Sequence, residues 1–191
     1  MVAMGELEDF GYVLDFLPTG RPSERMRDPV AQLIGQKYFT LLEVTLKAGK
    51  TISIEQKVNI GKDNRVEVDR IKARLDVGEL TSTARSELMP VLHKAVVERE
   101  ADFVSFFNKC GSVSIRLHQL ELLPGIGKKH LEEILAEREK KPFASFADLQ
   151  QRVPLLTDPV NIVVQRIYKE LTGIEKHYLF VKPPMAAQGM F

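Results

Sequence analysis

Apolar and polar residues alternate from about residue 10 to residue 77, which is the period of β-strands with one buried face. Four strand-like runs, GYVLDFL, YFTLLEVTL, TISIEQKVNI and RVEVDRIKARLDV, are separated by stretches rich in turn-forming residues. The alternation predicts about four antiparallel strands with one apolar face and one polar face, and the polar face carries several Lys and Arg side chains.

Open sheet edges must be covered or paired, and small β-domains commonly do this by closing into a barrel. We therefore predict a small antiparallel β-barrel of the OB-like type over residues 1–80. A barrel of this type has five strands. The strand-like segment HYLFVK at residues 177–182 is the candidate for the fifth strand, and it would bring the C-terminus back to the first domain.

The apolar period changes to 3.6 residues from residue 81 onward, which predicts helices. Pro90 is best placed at the first position of a long helix that ends at Gly111, because proline lacks the N–H needed inside a helix. A second helix is predicted to begin at Ser112 or Ser114. The tetrapeptide Pro-Gly-Ile-Gly at residues 124–127 separates it from a third.

Two further helices follow in the C-terminal half. SFAD at residues 145–148 is typical of a capped start for a short fourth helix, and Asp158-Pro159 begins a fifth that ends at Gly173. The predicted fold class is α+β: an OB-like β-barrel domain at 1–80, a connecting helix at 81–111, a compact all-α helix-hairpin-helix domain at 112–175, and a C-terminal strand and tail at 176–191.

Composition narrows the class of protein. No run reaches the roughly 18 apolar residues needed to span a bilayer, and the N-terminus MVAMGELEDF is acidic where a secretory signal would be basic. These features favour a cytoplasmic protein. The single cysteine, Cys110, excludes an internal disulfide, and four scattered histidines suggest no metal site. We expect no cofactor.

Charge is unevenly distributed along the chain. Residues 47–74 contain eight basic and four acidic residues, whereas residues 75–107 contain three basic and six acidic ones. Basic side chains on a small β-barrel can line a groove that follows a nucleic-acid strand. The candidates are Lys57, Lys62, Arg65, Arg70, Lys72 and Arg74.

Aromatic stacking platforms are sparse, because the chain has no Trp and only Tyr12, Tyr38 and Phe39 are candidates. Phe39 is expected in the core. Few exposed aromatic side chains favour structured RNA or a duplex over a tightly bound single strand.

The hairpin LELLPGIGKKHLEEILAERE at residues 120–139 has the composition of a phosphate site. Gly125 and Gly127 allow a tight backbone turn, and Ile126 fills the gap between the two helices. The first N–H groups of the following helix have no intrahelical partners, and they converge with Lys128 and Lys129 on one point. A phosphate oxygen would satisfy these donors without reading base sequence. The alternative is that the turn is only a corner between packed helices.

A weak internal repeat extends this pattern. Helix, LPGIG, helix at residues 114–139 is echoed by helix, VPLLTDP, helix at residues 146–171, with two or three residues added to the second hairpin. The second hairpin lacks both glycines. We therefore expect it to serve packing and to bind no ligand.

Residues 114–153 resemble the helix-hairpin-helix motifs of DNA repair, recombination and DNA-uptake proteins. The resemblance implies phosphate contacts by Gly125, Gly127, Lys128 and Lys129. One departure is Leu131, where the family usually has a small residue four positions after the last hairpin glycine. A larger side chain there is expected to widen the crossing of the two helices.

The whole chain from GYVLDFLPTG onward resembles an archaeal family known as domain of unknown function 655. That resemblance implies an OB-like barrel followed by a helix-hairpin-helix region, with RNA or nucleotide binding, and it implies no established activity.

No catalytic constellation is apparent, since the acidic pairs around residues 132–139 alternate with basic residues on one helix. We expect a non-catalytic nucleic-acid-binding protein, with RNA favoured over DNA by the family resemblance alone. The alternatives are a protein–protein interaction module and a DNA-binding accessory factor of repair or recombination.

Overall fold

The computed structural model describes residues 7–21 and 28–183 of the chain. Within these residues the fold is α+β, with a five-stranded antiparallel sheet followed by five α-helices. The described residues form two compact units, one made of those within 1–91 and 170–191 and the other of residues 92–169.

All five strands of the sheet lie before residue 75. They are β1 (Phe10–Leu17), β2 (Val30–Gly35), β3 (Leu41–Leu46), β4 (Lys57–Asn59) and β5 (Val68–Arg74). The spatial order is β4-β1-β2-β3-β5, and every neighbouring pair is antiparallel. Because β4 returns beside β1 after the β1-β2-β3 meander, the first four strands form a Greek key.

The prediction of a fifth strand from residues 177–182 is wrong. Those residues contain no strand, because the stretch before residue 75 supplies all five. A different kind of bonding holds this segment: the carboxylate of Glu170 accepts hydrogen bonds from the amides of Leu179, Phe180 and Val181 at 2.8–3.0 Å. The amide of Lys182 donates to the carbonyl of Tyr38 at 3.1 Å.

The central strands β2 and β3 are buried at every position, on both faces. One face belongs to an apolar core: Val13, Ala31, Leu33, Leu42, Val44, Leu46, Ile52, Val58, Ile60 and Val68. On the other face Asp15, Gln32 and Glu43 are cross-strand neighbours. The predicted polar face is therefore present, but its centre is covered.

Hydrogen bonds from Thr81 show what covers the polar row of Asp15, Gln32 and Glu43. The hydroxyl of Thr81 donates to Asp15 at 2.6 Å, and the amide of Thr81 donates to the side chain of Gln32 at 2.8 Å. Thr81 also caps the following helix, since its hydroxyl accepts from the amide of Ala84. Buried polar groups need such partners, so the sheet determines where the first helix begins.

The helices are α1 (Ser82–Glu98), α2 (Glu100–Lys109), α3 (Lys128–Lys140), α4 (Phe146–Arg152) and α5 (Pro159–Thr172). The placement of Pro90 at a helix start is wrong, because it lies inside α1. Pro90 is on the exposed side, where water can bond the carbonyl that loses its partner, while Leu88, Val91 and Leu92 are fully buried. Burial of that apolar side outweighs the local penalty of proline.

The helix predicted from Ser112 or Ser114 is absent. Instead a short hairpin of β6 (Ser112–Ser114) and β7 (Leu117–His118) leads into a 3-10 turn at Gln119–Leu122. The alternation in Ser-Val-Ser-Ile is the period of a strand, and this signal could have been read from the sequence.

Candidate functional site

The loop at residues 123–127 has the backbone of a type II β-turn. Pro124 occupies its second position and Gly125, with φ of 78°, its third, and the amide of Ile126 donates to the carbonyl of Leu123 at 3.2 Å. Only glycine adopts that φ without strain. Ile126 is 5% exposed, so it fills the predicted apolar position under the turn.

The start of α3 is open to solvent. Gly127 precedes the helix and has no side chain to cap it, and the first turn contains no acidic residue. The amides of residues 128–130 have no intrahelical acceptor, which leaves three N–H donors at the positive end of the helix dipole. Lys128 and Lys129 are exposed, and within the described chain neither makes an ion pair.

The second hairpin also turns at a proline but closes the helix start. Its third turn position, Leu155, does not have the positive φ of a type II turn. Its turn spans residues 153–156, with the amide of Leu156 donating to the carbonyl of Val153 at 2.9 Å, and Leu156 is 2% exposed. The carboxylate of Asp158 then accepts from the amide of Asn161 at 2.9 Å. From the turn to the residue before the helix, this hairpin is one residue longer than the first. The predicted insertion of two or three was too large.

Buried polar groups hold the segment that precedes the first hairpin. His118 accepts the amide of Leu120 on Nδ1 at 3.1 Å, and Glu121 accepts the amide of His118 at 2.8 Å. Burial, together with the charge of Arg138, lowers the pKa of His118, which favours the neutral ring that can accept this bond. These two bonds cap the start of the 3-10 turn at His118.

Arg138 joins α3 to the end of α2. Its Nη1 donates to the carbonyls of Phe107 and Cys110 at 3.0 and 2.9 Å, which satisfies groups that a helix end leaves unpaired. Burial raises the pKa of the Cys110 thiol, although Arg138 opposes the shift. Cys110 is therefore a packing residue in its thiol form rather than a reactive thiolate.

Three of the six basic residues predicted on the β-domain make internal bonds. Arg65 donates to the carbonyls of Ile60, Gly61 and Asp69. Arg74 donates to the carbonyls of Lys182 and Pro183 at 2.7 and 3.1 Å.

Lys72 lies 3.1 Å from the buried carboxylate of Glu43, which Arg21 also contacts at 2.6 Å. Burial alone would raise the pKa of Glu43, but the two cations hold it below its ordinary value.

The other three predicted basic residues, Lys57, Lys62 and Arg70, are more accessible to a ligand. The side chains of Lys62 and Arg70 are exposed and form no ion pair or hydrogen bond within the described part of the chain. The Nζ of Lys57 lies 5.1 Å from the ring centre of Phe10, a cation–π contact. Phe10 is 39% exposed, and the strand pattern gave no reason to single it out.

An open cavity of about 270 Å³ lies between the end of β4 and β5, next to Lys62. Its wall combines apolar, basic and acidic side chains: Leu7, Glu8, Asp9, Ile60, Lys62, Asp63, Arg65 and Ile71, with the backbone of Gly61. Sequence reasoning identified its two cations but missed the apolar and acidic wall, because the open edge between β4 and β5 brings these residues together.

The predicted stacking residues are not available to a ligand. Tyr12, Tyr38 and Phe39 are all buried, with exposures of 0%, 5% and 1%. The prediction that Phe39 lies in the core is confirmed. The two tyrosines are in the core as well, because they lie next to fully packed strands.

In residues 7–21 and 28–183, no set of three or more His, Cys, Asp or Glu side chains is placed to hold a metal ion. In the same residues no helix has the length and apolar character needed to cross a membrane.

Comparison with known proteins gives a consistent assignment. The family model for DUF655, a protein of unknown function, matches residues 7–182. The uncharacterized protein MJ0038 of Methanocaldococcus jannaschii is 41% identical over 179 residues, covering 93% of this chain and 81% of that protein. The crystal structure of Af1531 from Archaeoglobus fulgidus, a DUF655 protein, has a TM-score of 0.84 and 43% identity, covering 92% of this chain and 100% of the other. The chain therefore belongs to the DUF655 family, which includes these archaeal relatives.

Proposed function

We propose that this protein is a non-catalytic nucleic-acid-binding protein that contacts the phosphate backbone, with RNA as the favoured ligand. One observation carries the proposal: the start of α3 offers three unbonded amides and two exposed lysines, with no carboxylate of its own. Phosphate is the anion that this combination of donors and positive dipole suits best.

The contrast with α4 and α5 supports this interpretation. The hydroxyl of Ser145 accepts from the amide of Asp148 at 3.0 Å, and Asp158 caps α5 in the same way. Side-chain caps are the ordinary way to satisfy a helix start. In the same unit, α3 begins at a glycine, which leaves its donors for an external acceptor.

The architecture supports the finer parts of the proposal. A Greek-key sheet of five strands that is open between β4 and β5 has the features of a partly open OB-like barrel. The turn at residues 123–127 between two helical segments supports a helix-hairpin-helix assignment for the other unit, although its first element is a 3-10 turn.

The β-domain would contribute through its accessible cations. Lys62, at the mixed cavity, and Arg70 can each neutralise a phosphate, while Lys57 with Phe10 offers a cation beside a partly exposed ring. Arg65, Lys72 and Arg74 have internal bonds, so their share of binding is expected to be smaller. The choice of RNA over DNA rests on the family resemblance alone.

Fluorescence anisotropy with a labelled RNA stem-loop and a DNA duplex tests the proposal. The double variant Lys128→Gln/Lys129→Gln should bind more weakly than the parent. Its dependence of log affinity on log salt should be shallower by about 1 to 2 between about 50 and 200 mM salt, since each phosphate contact contributes roughly 0.9.

Lys140→Gln/Lys141→Gln is the matched control, because it removes the same charge at the other end of α3. This control should retain most of the affinity and the slope. If the parent protein binds neither nucleic acid at low salt, the proposed function is wrong. If both double variants weaken binding equally, the hairpin is not the contact site.

A further inference from the structure

We infer that the β6–β7 hairpin is a second nucleic-acid contact in the helical unit, with Ile115 packing against a nucleobase and Arg116 contacting a phosphate. This inference rests on the proposed function. It concerns residues outside the loop at residues 123–127. It predicts a contact to the nucleobases in addition to the contacts to the phosphate backbone.

The two residues at the tip of this hairpin are unusual for their position. Ser114 pairs with Leu117, so the loop consists of Ile115 and Arg116 alone. Asn, Asp and Gly are favoured in two-residue hairpin loops because the commonest turns there need a positive φ, whereas neither Ile115 nor Arg116 has one. A β-branched residue and an arginine do not help the turn to form, so turn chemistry leaves the choice of both residues unexplained.

Ile115 is also the most exposed of the large apolar residues in the described chain, at 104% of its reference surface. Val113, on the preceding strand, is 36% exposed. Arg116 is exposed, and within the described residues its side chain makes no ion pair or hydrogen bond. The tip therefore presents an apolar group beside an available cation.

The charge around the tip favours a polyanion as the occupant. Residues 108–118 contain the cations Lys109 and Arg116 and no acidic residue. The next carboxylate, Glu121, already accepts a backbone amide. Aliphatic side chains inserted at base steps and arginines placed beside them are the contacts used by proteins that deform nucleic acids.

Hydrogen bonds attach the base of the β6–β7 hairpin to the segment that leads into the loop at residues 123–127. The amide of Gln119 donates to the carbonyl of Gly111 at 2.9 Å, and the side chain of Gln119 accepts the amide of Gly111 at 3.0 Å. Gln119 is the first residue of the 3-10 turn that leads to Gly125. A side chain on a rigid, hydrogen-bonded hairpin loses less conformational entropy on binding than one on a mobile loop.

The test uses the full chain and an RNA stem-loop that contains 2-aminopurine in its stem. Ile115→Asn places a turn-favouring residue at the tip and should leave the melting temperature unchanged. It should lower affinity about threefold to tenfold without altering the salt dependence, because an apolar contact releases no counterions. Arg116→Gln should make the salt slope shallower by about 1.

Val97→Asn is the matched control, since Val97 is 50% exposed and lies on α1. It should bind like the parent. Binding of the parent should raise 2-aminopurine fluorescence as bases are unstacked, and Ile115→Asn should remove this rise.

Affinity and fluorescence of Ile115→Asn equal to those of Val97→Asn would overturn the inference. The proposed function would stand in that case as long as Lys128→Gln/Lys129→Gln still weakened binding. Failure of the parent to bind the RNA would overturn both.

Discussion

The two hairpins of the helical unit both turn at a proline but differ in how the next helix begins. Both have proline at the second turn position and a buried aliphatic residue at the fourth, Ile126 in one and Leu156 in the other. The first ends at Gly127 and two lysines, whereas the second ends at Asp158, whose carboxylate caps α5. Only the first leaves its amides unsatisfied.

This difference separates the part of each hairpin that packs the helices together from the part that could bind a ligand. A buried aliphatic residue stabilises a corner between helices wherever it occurs, and both hairpins have one. A helix start needs an acceptor, which can be the chain's own side chain or an external anion. The second hairpin supplies its own carboxylate, so the first is the one suited to an external phosphate.

The largest expected effect is on the shared packing position. Ile126→Ala and Leu156→Ala should each lower the free energy of unfolding by about 3 kcal/mol, because both remove a buried aliphatic side chain and leave a cavity. Urea denaturation of the two variants measures this. A loss confined to one of them would show that the hairpins do not pack alike.

Gly125→Ala should cause the next largest loss in the free energy of unfolding. Its φ of 78° strains any residue with a Cβ, although the space beside it is open, so a cost of about 1 to 2 kcal/mol is expected from the backbone alone. The matched change in the second hairpin is Leu155→Ala, at a half-exposed position without a positive φ. Equal destabilisation of the two variants in urea would contradict the strain assigned to the positive φ of position 125.

Exchanging the caps gives opposite effects in the two hairpins. Gly127→Asp fits, because no atom lies within 4 Å of the added Cβ and φ is −96°. It should raise the free energy of unfolding by about 0.5 kcal/mol while lowering RNA affinity roughly tenfold, since the new carboxylate would occupy the proposed phosphate site.

Asp158→Ala should lower the free energy of unfolding by about 1 kcal/mol and leave RNA affinity unchanged. Urea melts and anisotropy on the same preparations measure both quantities. Unchanged RNA affinity in Gly127→Asp would remove the open helix start from the proposed site.

The smallest expected effect is the loss of stability in acid that comes from the charged cluster of Glu137, Asp148 and Arg152. A hydrogen bond from Lys140, assisted by Arg152, holds the pKa of Glu137 below its ordinary value. The Ala144 amide and then Arg152 do the same for Asp148. Because the folded state binds fewer protons than the unfolded one, this stability is present above the ordinary pKa values and is lost as the pH falls below them.

Urea midpoints measured from about pH 6 down to pH 3 should therefore decline, and Arg152→Gln should decline less steeply. A variant with the same pH profile as the parent would show that Arg152 has no part in the effect.

Particular segments show how far sequence reasoning reached. The start of α4 after Ser145 and the extent of α5 are confirmed, because a capping residue and a clean apolar stripe mark each one locally. The buried position of Ile126 followed from the hairpin pattern. The helix expected from Ser112 was wrong because the local strand alternation was not recognised. The position of Pro90 and the fifth strand at residues 177–182 were wrong because each depends on neighbours distant in sequence.

The sequence by itself determined the α+β class, the turn at residues 123–127 and the two lysines after it, because helix periodicity and turn chemistry act over a few residues. Only the tertiary structure decided which charges remain available. Arg65 and Arg74 bond to backbone carbonyls and Lys72 to a buried carboxylate, whereas Lys62 and Arg70 remain exposed. The partners of Arg74 and Lys72 come from distant segments of the chain, and a linear pattern of charges does not reveal them.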